Sequence, residues 1–150
     1  MSDERFNPYL AVFLIFRKDD KILLLKRANT GHQDGNYSMV SGHVDAGESF
    51  IDAAIREALE ESGVNIKSGD LTLAYTLHSN KINKVYINLF MNVNNWNGEI
   101  TNKEPEKCDD LDWFEINHLP QNTVDYVRFV IQETQNGKNF GTWGFENLKS

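Results

Sequence analysis

The N-terminal part of the chain contains two short apolar runs, LAVFLIF at 10–16 and KILLLKR at 21–27. Runs of this length cannot span a bilayer as a helix, because a spanning helix needs about 20 apolar residues. Asp3 and Glu4 precede the first run, and RKDD follows it without a small-residue cleavage site, which argues against a signal peptide. We therefore predict two buried strands, at 9–17 and 21–27, with a turn at KDD between them.

The remaining sequence predicts more strands and two helices. Residues rich in β-branched and aromatic side chains predict strands at 37–42, 71–79, 84–93 and 111–116. Ser49 is a good helix N-cap, and the helix that follows it is expected to end at Gly63. Apolar residues at helical spacing predict a second helix within 123–137. With no repeat, low-complexity tract or linker, residues 1–150 are expected to form a single α/β domain of mixed strands with helices packed on them.

The charge and cysteine content limit the possible partners. The formal net charge of −7 argues against binding a nucleic acid polymer through a basic face. It still allows a small anionic substrate, provided that metal ions or local Lys and Arg side chains offset the charge. Cys108 is the only cysteine, so no internal disulfide can form and the cytoplasm is the simplest location. No membrane partner is expected.

Three glutamates, Glu57, Glu60 and Glu61, crowd the end of the first predicted helix. Like charges at these spacings destabilise a helix by about 0.2–0.5 kcal/mol per pair. On a helical wheel Glu57 and Glu61 fall within about 40° of each other, at the margin of the apolar arc, whereas Glu60 lies beside Arg56. The apolar arc contains Ile51, Ala54, Ile55, Ala58 and Leu59. The carboxylates are therefore expected to point into a groove, unless this is only a solvated, charge-rich helix.

The glutamates belong to a longer pattern, GHVDAGESFIDAAIREALEESGV at 42–64. Gly42 is followed after five residues by Glu48, and Arg56 and Glu57 come after seven more. The pattern resembles the Nudix box of the Nudix (MutT-like) hydrolases and matches every fixed position over 23 residues. The segments LLLKRANTG, WNGE and NKEPEKCDDLDWFEINHLP resemble the MutT-like branch that acts on nucleoside triphosphates. The resemblance implies the Nudix fold, an α/β/α sandwich with a mixed β-sheet, and places the active site at the box.

The resemblance also implies roles for the glutamates. Nudix enzymes hydrolyse a diphosphate linked to another group by attack of water on phosphorus. Mg²⁺, with Mn²⁺ as a substitute, is the expected cofactor, because it prefers hard oxygen ligands and can stabilise phosphate charge. Glu57 and Glu61 are the implied main metal ligands, and the backbone carbonyl of Gly42 completes the site. Glu60 is implied either to bind the metal directly or to contact the residues that bind it. Which carboxylate acts as the general base is left open.

Further residues have implied roles with a simpler alternative beside each. Glu48 is expected to hold Arg56, which in turn orients the catalytic carboxylates. Glu104, in NKEPEKC, is expected to be an additional metal ligand, or else part of a solvated turn. Arg27 is expected to reach the substrate phosphates, or else to lie solvated on the surface. His43 is expected to line the substrate pocket, or else to make a structural hydrogen bond.

Aromatic residues and one departure from the family pattern bear on the substrate pocket. Trp96, Trp113 and Trp143 are candidates for stacking on a base, although large aromatic residues in a small domain are more often core. Many relatives have a proline and two glycines before the histidine of the box. Here the segment reads MVSGH, and Val40 and Ser41 are expected to reshape the pocket entrance.

These observations predict a Mg²⁺-dependent hydrolase of nucleoside diphosphate-linked compounds. The leading hypothesis is a nucleoside triphosphate diphosphatase, which releases a nucleoside monophosphate and pyrophosphate. The alternatives are an ADP-ribose or dinucleotide pyrophosphatase and a non-catalytic nucleotide-binding module. A binding module is expected to lose box carboxylates that this chain retains. The expected partner is a small nucleotide, and the chain is expected to be a monomer or a homodimer.

Overall fold

A computed structural model describes residues 5–145 of the chain, and within this range eight strands form one mixed sheet. The strands are β1 (Tyr9–Lys18), β2 (Lys21–Arg27), β3 (Tyr37–Ser38), β4 (Val40–His43), β5 (Leu71–Lys81), β6 (Lys84–Val93), β7 (Cys108–Glu115) and β8 (Phe140–Trp143). The helices are α1 (Phe50–Glu57) and α2 (Asp125–Gln135). A π-helical turn (Ala58–Ser62) continues α1, and a 3₁₀ turn (Ser68–Asp70) precedes β5.

Strand β1 lies at the centre of the sheet. It pairs in parallel with β6, and at its N-terminal half it also pairs antiparallel with β4. The longest path of paired strands is β3-β2-β1-β6-β5-β8, with β7 beside β2 and β4 beside β1. Consecutive apolar residues of β1 point to opposite faces, and both faces are covered. This explains why its sequence is an unbroken apolar run.

The sheet separates two apolar cores. Val12, Leu14 and Phe16 of β1 face the core beneath α1, whereas Ala11, Phe13 and Ile15 face the core beneath α2. Each helix contributes its own buried residues, which are Ala53 and Ala54 of α1 and Val127, Val130 and Ile131 of α2. This arrangement confirms the predicted α/β/α sandwich with a mixed sheet. Within residues 5–145, no helix has the combination of length and apolar composition that crossing a bilayer requires.

Two strand predictions were wrong in detail. The strand predicted at 37–42 is divided into β3 and β4, because the first part pairs with β2 and the second with β1. The strand predicted at 111–116 begins earlier, at Cys108, and it is not the last strand. The missed strand, β8, pairs in parallel with β5, a partner more than sixty residues before it. Such a distant pairing leaves a weak signal in a four-residue segment.

The buried arc of the first helix also differs from the helical wheel. Ala53, Ala54 and Ala58 are fully buried, whereas Ile51 is 38% exposed and Leu59 is 50% exposed. Small alanine side chains let the helix lie close to the sheet, so the larger side chains on its flank remain partly in solvent. The helix was predicted to continue to Gly63 as one element, but the π-helical turn replaces its last part.

Candidate active site

The position of α1 relative to β4 is determined at the start of the helix. The Ser49 hydroxyl accepts a hydrogen bond from the Asp52 amide at 3.0 Å, and the Asp52 carboxylate accepts one from the Ser49 amide at 3.2 Å. This capping box satisfies two backbone donors that a helix start leaves unpaired. The predicted helix start at Ser49 is therefore confirmed. A defined start also determines which side chains of the later turns face β4.

Glu57 lies against Gly42 of β4. The residue is 9% exposed, and a Cβ atom added to Gly42 would overlap the Glu57 carboxylate. Gly42 does not have a positive φ, so its backbone does not require glycine. Glycine is needed here because the Glu57 carboxylate occupies the space that a side chain would take. The glycine that begins the sequence pattern and the glutamate of its Arg-Glu pair are therefore in direct contact.

Glu61 contacts the neighbouring residue of the same strand. Its Oε1 accepts a hydrogen bond from the Ser41 amide at 3.2 Å. Glu61 lies in the π-helical turn, which Gly63 ends with a left-handed φ of 76°. A side chain on Gly63 would also meet the Lys103 side chain, so conformation and space both require glycine there. Glu57 and Glu61 therefore lie close together, each beside one of two consecutive residues of β4.

Arg56 connects the carboxylates of the box. Its Nε and Nη2 donate to the two oxygens of Glu48 at 2.7 and 3.0 Å, and its Nη1 donates to Glu57 Oε1 at 2.6 Å. Nη2 also donates to the His43 backbone carbonyl at 3.0 Å. Glu60 is a weaker partner, at 3.3 Å from Nη1, and its side chain is 52% exposed. The planar guanidinium thus holds Glu57 in one orientation relative to Glu48 and β4.

The site carries negative charge that the protein does not fully compensate. Burial raises the pKa of Glu57 to about 7, and the charges of Glu60 and Glu104 add to the rise, while Arg56 opposes it. Burial also raises the pKa of Glu61, with a further contribution from the charge of Glu57. By contrast, the hydrogen bond from Arg56 lowers the pKa of Glu48 to about 2. Adjacent buried carboxylates of this kind fit a hard divalent cation, which binds oxygen ligands.

The predicted metal ligands do not all converge. Within residues 5–145, no three side chains of His, Cys, Asp or Glu are arranged closely enough to enclose a metal ion. Glu57 and Glu61 lie together against β4, whereas Glu60 turns towards Arg56 and solvent. Glu104 belongs to a separate loop, where its amide donates to Asn102 Oδ1 at 3.1 Å. Like-charged carboxylates repel one another, and Glu57, Glu60 and Glu61 are each oriented by a hydrogen-bond donor of the protein.

Arg27 braces the loop that follows β2. Its Nε donates to the His32 carbonyl at 2.8 Å, and its Nη2 donates to the Thr30 hydroxyl at 3.2 Å. Its positive charge opposes the rise in the pKa of both Glu61 and Tyr126. Arg27 is therefore close enough for its charge to act on both groups. Both the phosphate-binding role and a loop-bracing role are compatible with this position.

His43 belongs to an aromatic group on the α2 face of the sheet. Its Nε2 lies 3.3 Å from the Tyr86 hydroxyl, and its ring centroid lies 6.3 Å from that of Tyr9. Tyr9 and Tyr86 stack with ring centroids 5.1 Å apart. The sequence prediction missed both tyrosines, because only the parallel register of β1 and β6 places them side by side. The one signal in the sequence was that each tyrosine lies near the start of a predicted strand.

The tryptophans pack against the two cores. Trp96 and Trp113 stack with ring centroids 6.4 Å apart and pack on the α1-side core. Trp143 packs against Phe129 on the α2-side core. The core packing that was favoured for large aromatic residues is therefore what the structure shows for all three. Val40 is buried, and Ser41 supplies the amide that binds Glu61.

Comparisons with known proteins show which family the chain resembles. Residues 6–132 match the family model of the NUDIX domain. The chain is 29% identical over 133 residues to an ADP-ribose pyrophosphatase of Methanocaldococcus jannaschii, a match that covers 89% of this chain and 76% of that protein. It is also 29% identical over 137 residues to the NAD-capped RNA hydrolase NudC of Photorhabdus laumondii, which covers 87% of this chain and 50% of that protein.

A solved structure gives the same fold. The MutT Nudix hydrolase of Burkholderia pseudomallei superposes with a TM-score of 0.77 at 24% sequence identity, covering 85% of this chain and 98% of that one. The family match extends over most of the chain, includes the box with α1 inside it, and ends within α2. The chain therefore belongs to the Nudix family of pyrophosphohydrolases.

Proposed function

We propose that this protein is a Mg²⁺-dependent pyrophosphohydrolase of nucleoside diphosphate-linked compounds. One observation carries the proposal, which is that two carboxylates lie side by side against β4, the buried Glu57 beside Gly42 and the half-buried Glu61 beside Ser41. Their pKa values are raised mainly because burial disfavours the charged form, and neighbouring carboxylates add to the rise. Mg²⁺ bound there would offset this charge and that of a diphosphate, and it would favour ionisation of a bound water.

The residues of the chain have separate tasks in such a reaction. Arg56 holds Glu57 through Oε1, and within the described residues Oε2 has no hydrogen-bond donor. Oε2 is therefore available to a cation or to the attacking water. The Ser41 amide orients Glu61, and Glu48 keeps Arg56 in place from the other side. Because these groups are held before substrate arrives, little reorganisation is needed when negative charge develops on the phosphate.

Glu60 and Glu104 are proposed to complete the metal environment when substrate and cation are present. Glu104 is already close enough for its charge to raise the pKa of Glu57 and Glu61. Arg27, whose charge acts on Glu61, is proposed to contact the phosphates. The Gly42 carbonyl remains a proposed ligand. His43, with the tyrosines beside it, is proposed to line the part of the pocket that receives the group beyond the diphosphate.

Two substrate classes fit this proposal. The resemblance of the flanking segments to the MutT-like branch favours a nucleoside triphosphate, cleaved to a monophosphate and pyrophosphate. The relative named ADP-ribose pyrophosphatase, which matches most of this chain, favours ADP-ribose, cleaved to AMP and ribose 5-phosphate. The two classes differ in the leaving group and share the nucleoside diphosphate that the carboxylates would face.

A substrate panel tests the proposed function. The full chain is incubated with ATP, GTP, ADP-ribose and a dinucleotide in Mg²⁺, in Mn²⁺ and in excess EDTA, and the products are separated. We expect turnover of at least one substrate in Mg²⁺ or Mn²⁺ and none in EDTA. Full activity in EDTA would remove the metal from the mechanism, and no turnover of any compound would favour a binding module.

Variants assign the activity to the carboxylates. Glu57→Gln and Glu61→Gln are each expected to lower kcat by orders of magnitude, because the neutral amide does not hold a divalent cation against the phosphate charge. Glu99→Gln is the matched control, since Glu99 is exposed and lies outside the box. Circular dichroism and melting curves check that each variant is folded. A near-normal kcat in either box variant would exclude that glutamate from the site.

A further inference from the structure

The strand register places a small residue, Ala11, among larger side chains on the α2 face of the sheet. Across the sheet, His43 of β4 pairs with Ala11 of β1, and Ala11 pairs with Asn88 of β6. Tyr9 and Tyr86 form the neighbouring row of the same face. Alanine is the smallest member of this group, so the larger side chains surround its position. The span from β4 to β6 is two strand spacings, about 10 Å.

Asn88 is the buried polar residue of this group, with 6% of its surface exposed. Its Nδ2 donates to the Leu77 carbonyl at 2.9 Å and to the Ser79 hydroxyl at 2.9 Å. A backbone carbonyl can only accept a hydrogen bond, so the atom that faces Leu77 must be the amide nitrogen. The orientation of the carboxamide is thereby determined, with its nitrogen directed towards β5.

The carboxamide oxygen of Asn88 is left free. No hydrogen-bond donor to Oδ1 is found among residues 5–145, and Asn80 Oδ1 is the one fully buried side-chain oxygen or nitrogen without a partner in that range. Asn88 Oδ1 therefore retains some access to solvent. Since the nitrogen of the same group is directed towards β5, the oxygen is directed away from it, towards β1 and the aromatic group.

We propose that Asn88 determines substrate specificity, its carboxamide oxygen accepting a hydrogen bond from an amino group on the base of the substrate. This inference rests on the proposed function and narrows it to bases that present an amino group, as adenine does at its six position. Tyr9, Tyr86 and His43 provide flat surfaces against which a base packs. The diphosphate would then pass round the edge of β4 to Glu57 and Glu61.

The chemistry predicts discrimination between adenine and hypoxanthine. These bases differ at the six position, where hypoxanthine has a carbonyl oxygen in place of the amino group. Two acceptor oxygens facing each other cannot share a hydrogen bond. Rotation of the Asn88 carboxamide would not relieve the conflict cheaply, because the Leu77 carbonyl would lose its donor and face another oxygen. A site that hydrogen-bonds one substrate group rejects an analogue without it more strongly than an apolar pocket does.

Matched pairs of substrates test the inference. We measure kcat/KM of the full-length protein for ADP-ribose and inosine diphosphate ribose, and for ATP and ITP. For each pair that is turned over, the wild type is expected to prefer the adenine compound by about tenfold or more. Asn88→Leu, which keeps the size of the side chain, is expected to reduce this ratio to near one. The reduction should come mainly from slower hydrolysis of the adenine compound.

Two further variants keep the test decisive. Asn92→Leu makes the same change on the same strand and the same face, beside Ile15 rather than Ala11, and should leave the ratio unchanged. If Asn88→Leu does not fold, Asn88→Thr supplies a hydroxyl that both donates and accepts, and it should also bring the ratio near one.

Equal hydrolysis of the adenine and hypoxanthine compounds by the wild type, or a ratio that is unchanged in both Asn88 variants, would overturn this inference alone. No turnover of these four compounds, with GTP or the dinucleotide still hydrolysed, would also overturn this inference alone, whereas no turnover of any compound in either set would overturn the proposed function as well.

Discussion

Gly42 shows how one residue can determine the position of a neighbouring carboxylate, that of Glu57. Its backbone is compatible with any residue, but a Cβ atom would overlap the Glu57 carboxylate. We therefore expect Gly42→Ala to fold and to lower kcat by about a hundredfold, since displacement of a reacting group by about 1 Å can have that effect. The control is Gly69→Ala, because Gly69 has no positive φ and no atoms near a new Cβ. Similar kcat values for the two variants would contradict the proposed position of Glu57.

The raised pKa of Glu57 predicts how the stability of the metal-free protein depends on pH. The pKa rises from 4.5 to about 7 on folding, so between these values the folded protein binds a proton that the unfolded chain has lost. The free energy of unfolding should therefore fall as the pH rises through this range and then level off. Glu61 contributes in the same direction, because its pKa is also raised.

Urea unfolding in EDTA at several pH values between 5 and 8 checks this dependence. Glu57→Gln should lose less stability than the wild type over the range, because a neutral amide has no proton to release. Glu99→Gln is the matched control, since Glu99 is exposed and lies outside the box. The same pH dependence in Glu57→Gln and wild type would show that Glu57 is not the buried carboxyl responsible.

At the scale of the element, the start of α1 combines stability with positioning. The capping box between Ser49 and Asp52 satisfies two backbone donors. Ser49→Ala should lower the free energy of unfolding by about 1 kcal/mol, as measured by urea denaturation in EDTA. Ser68→Ala is the control, because Ser68 begins a 3₁₀ turn whose side-chain cap is made by Asp70 instead. An unchanged midpoint in Ser49→Ala would mean that the cap is not made in solution.

The end of the same helix shows what local pattern does not reveal. The alternation of apolar and acidic residues is compatible with a regular α-helix up to Gly63, yet residues 58–62 form a π-helical turn. The Ser62 hydroxyl donates to the Ala58 carbonyl at 2.6 Å within that turn. π-Helical turns are often found at functional sites, where they redirect side chains. Here the turn carries Glu60 and Glu61.

For the whole molecule, cation binding should be coupled to folding. If Mg²⁺ binds the assembled carboxylates better than the unfolded chain, as we propose, it should stabilise the fold by about 2.7 kcal/mol at a hundredfold excess over Kd. For a domain of this size that corresponds to a rise in Tm of about 2–4 °C per kcal/mol. Glu61→Gln should lose most of the rise. In EDTA at neutral pH that variant should be at least as stable as wild type, because one buried like charge has been removed.

Melting curves in EDTA, in Mg²⁺ and in NaCl of matched ionic strength separate binding from general screening. A solvated, charge-rich helix would respond to Mg²⁺ and to NaCl alike. If wild type and Glu61→Gln each have the same Tm in both salts, the glutamates do not bind Mg²⁺ specifically and belong to a solvated, charge-rich helix.

The sequence by itself determined the local features of this protein. The start of α1 at Ser49, the buried strands β1 and β2, and the spacing from Gly42 to Glu57 depend on residues close in the chain, so their pattern could be interpreted directly. The same pattern, through its resemblance to the Nudix box, predicted the family and the α/β/α fold.

Only the tertiary structure decided which distant residues meet. The parallel pairing of β1 with β6 brings Tyr9 beside Tyr86 and Ala11 beside Asn88, although these partners are more than seventy residues apart. The pairing of β5 with β8 is of the same kind. The register of β1 with β6 depends on how both faces of the sheet pack against the helices. A shift of one residue would exchange every side chain of a strand between the two faces. No local pattern contains that information, and so the carboxylates could be predicted from the sequence while the surroundings of Asn88 could not.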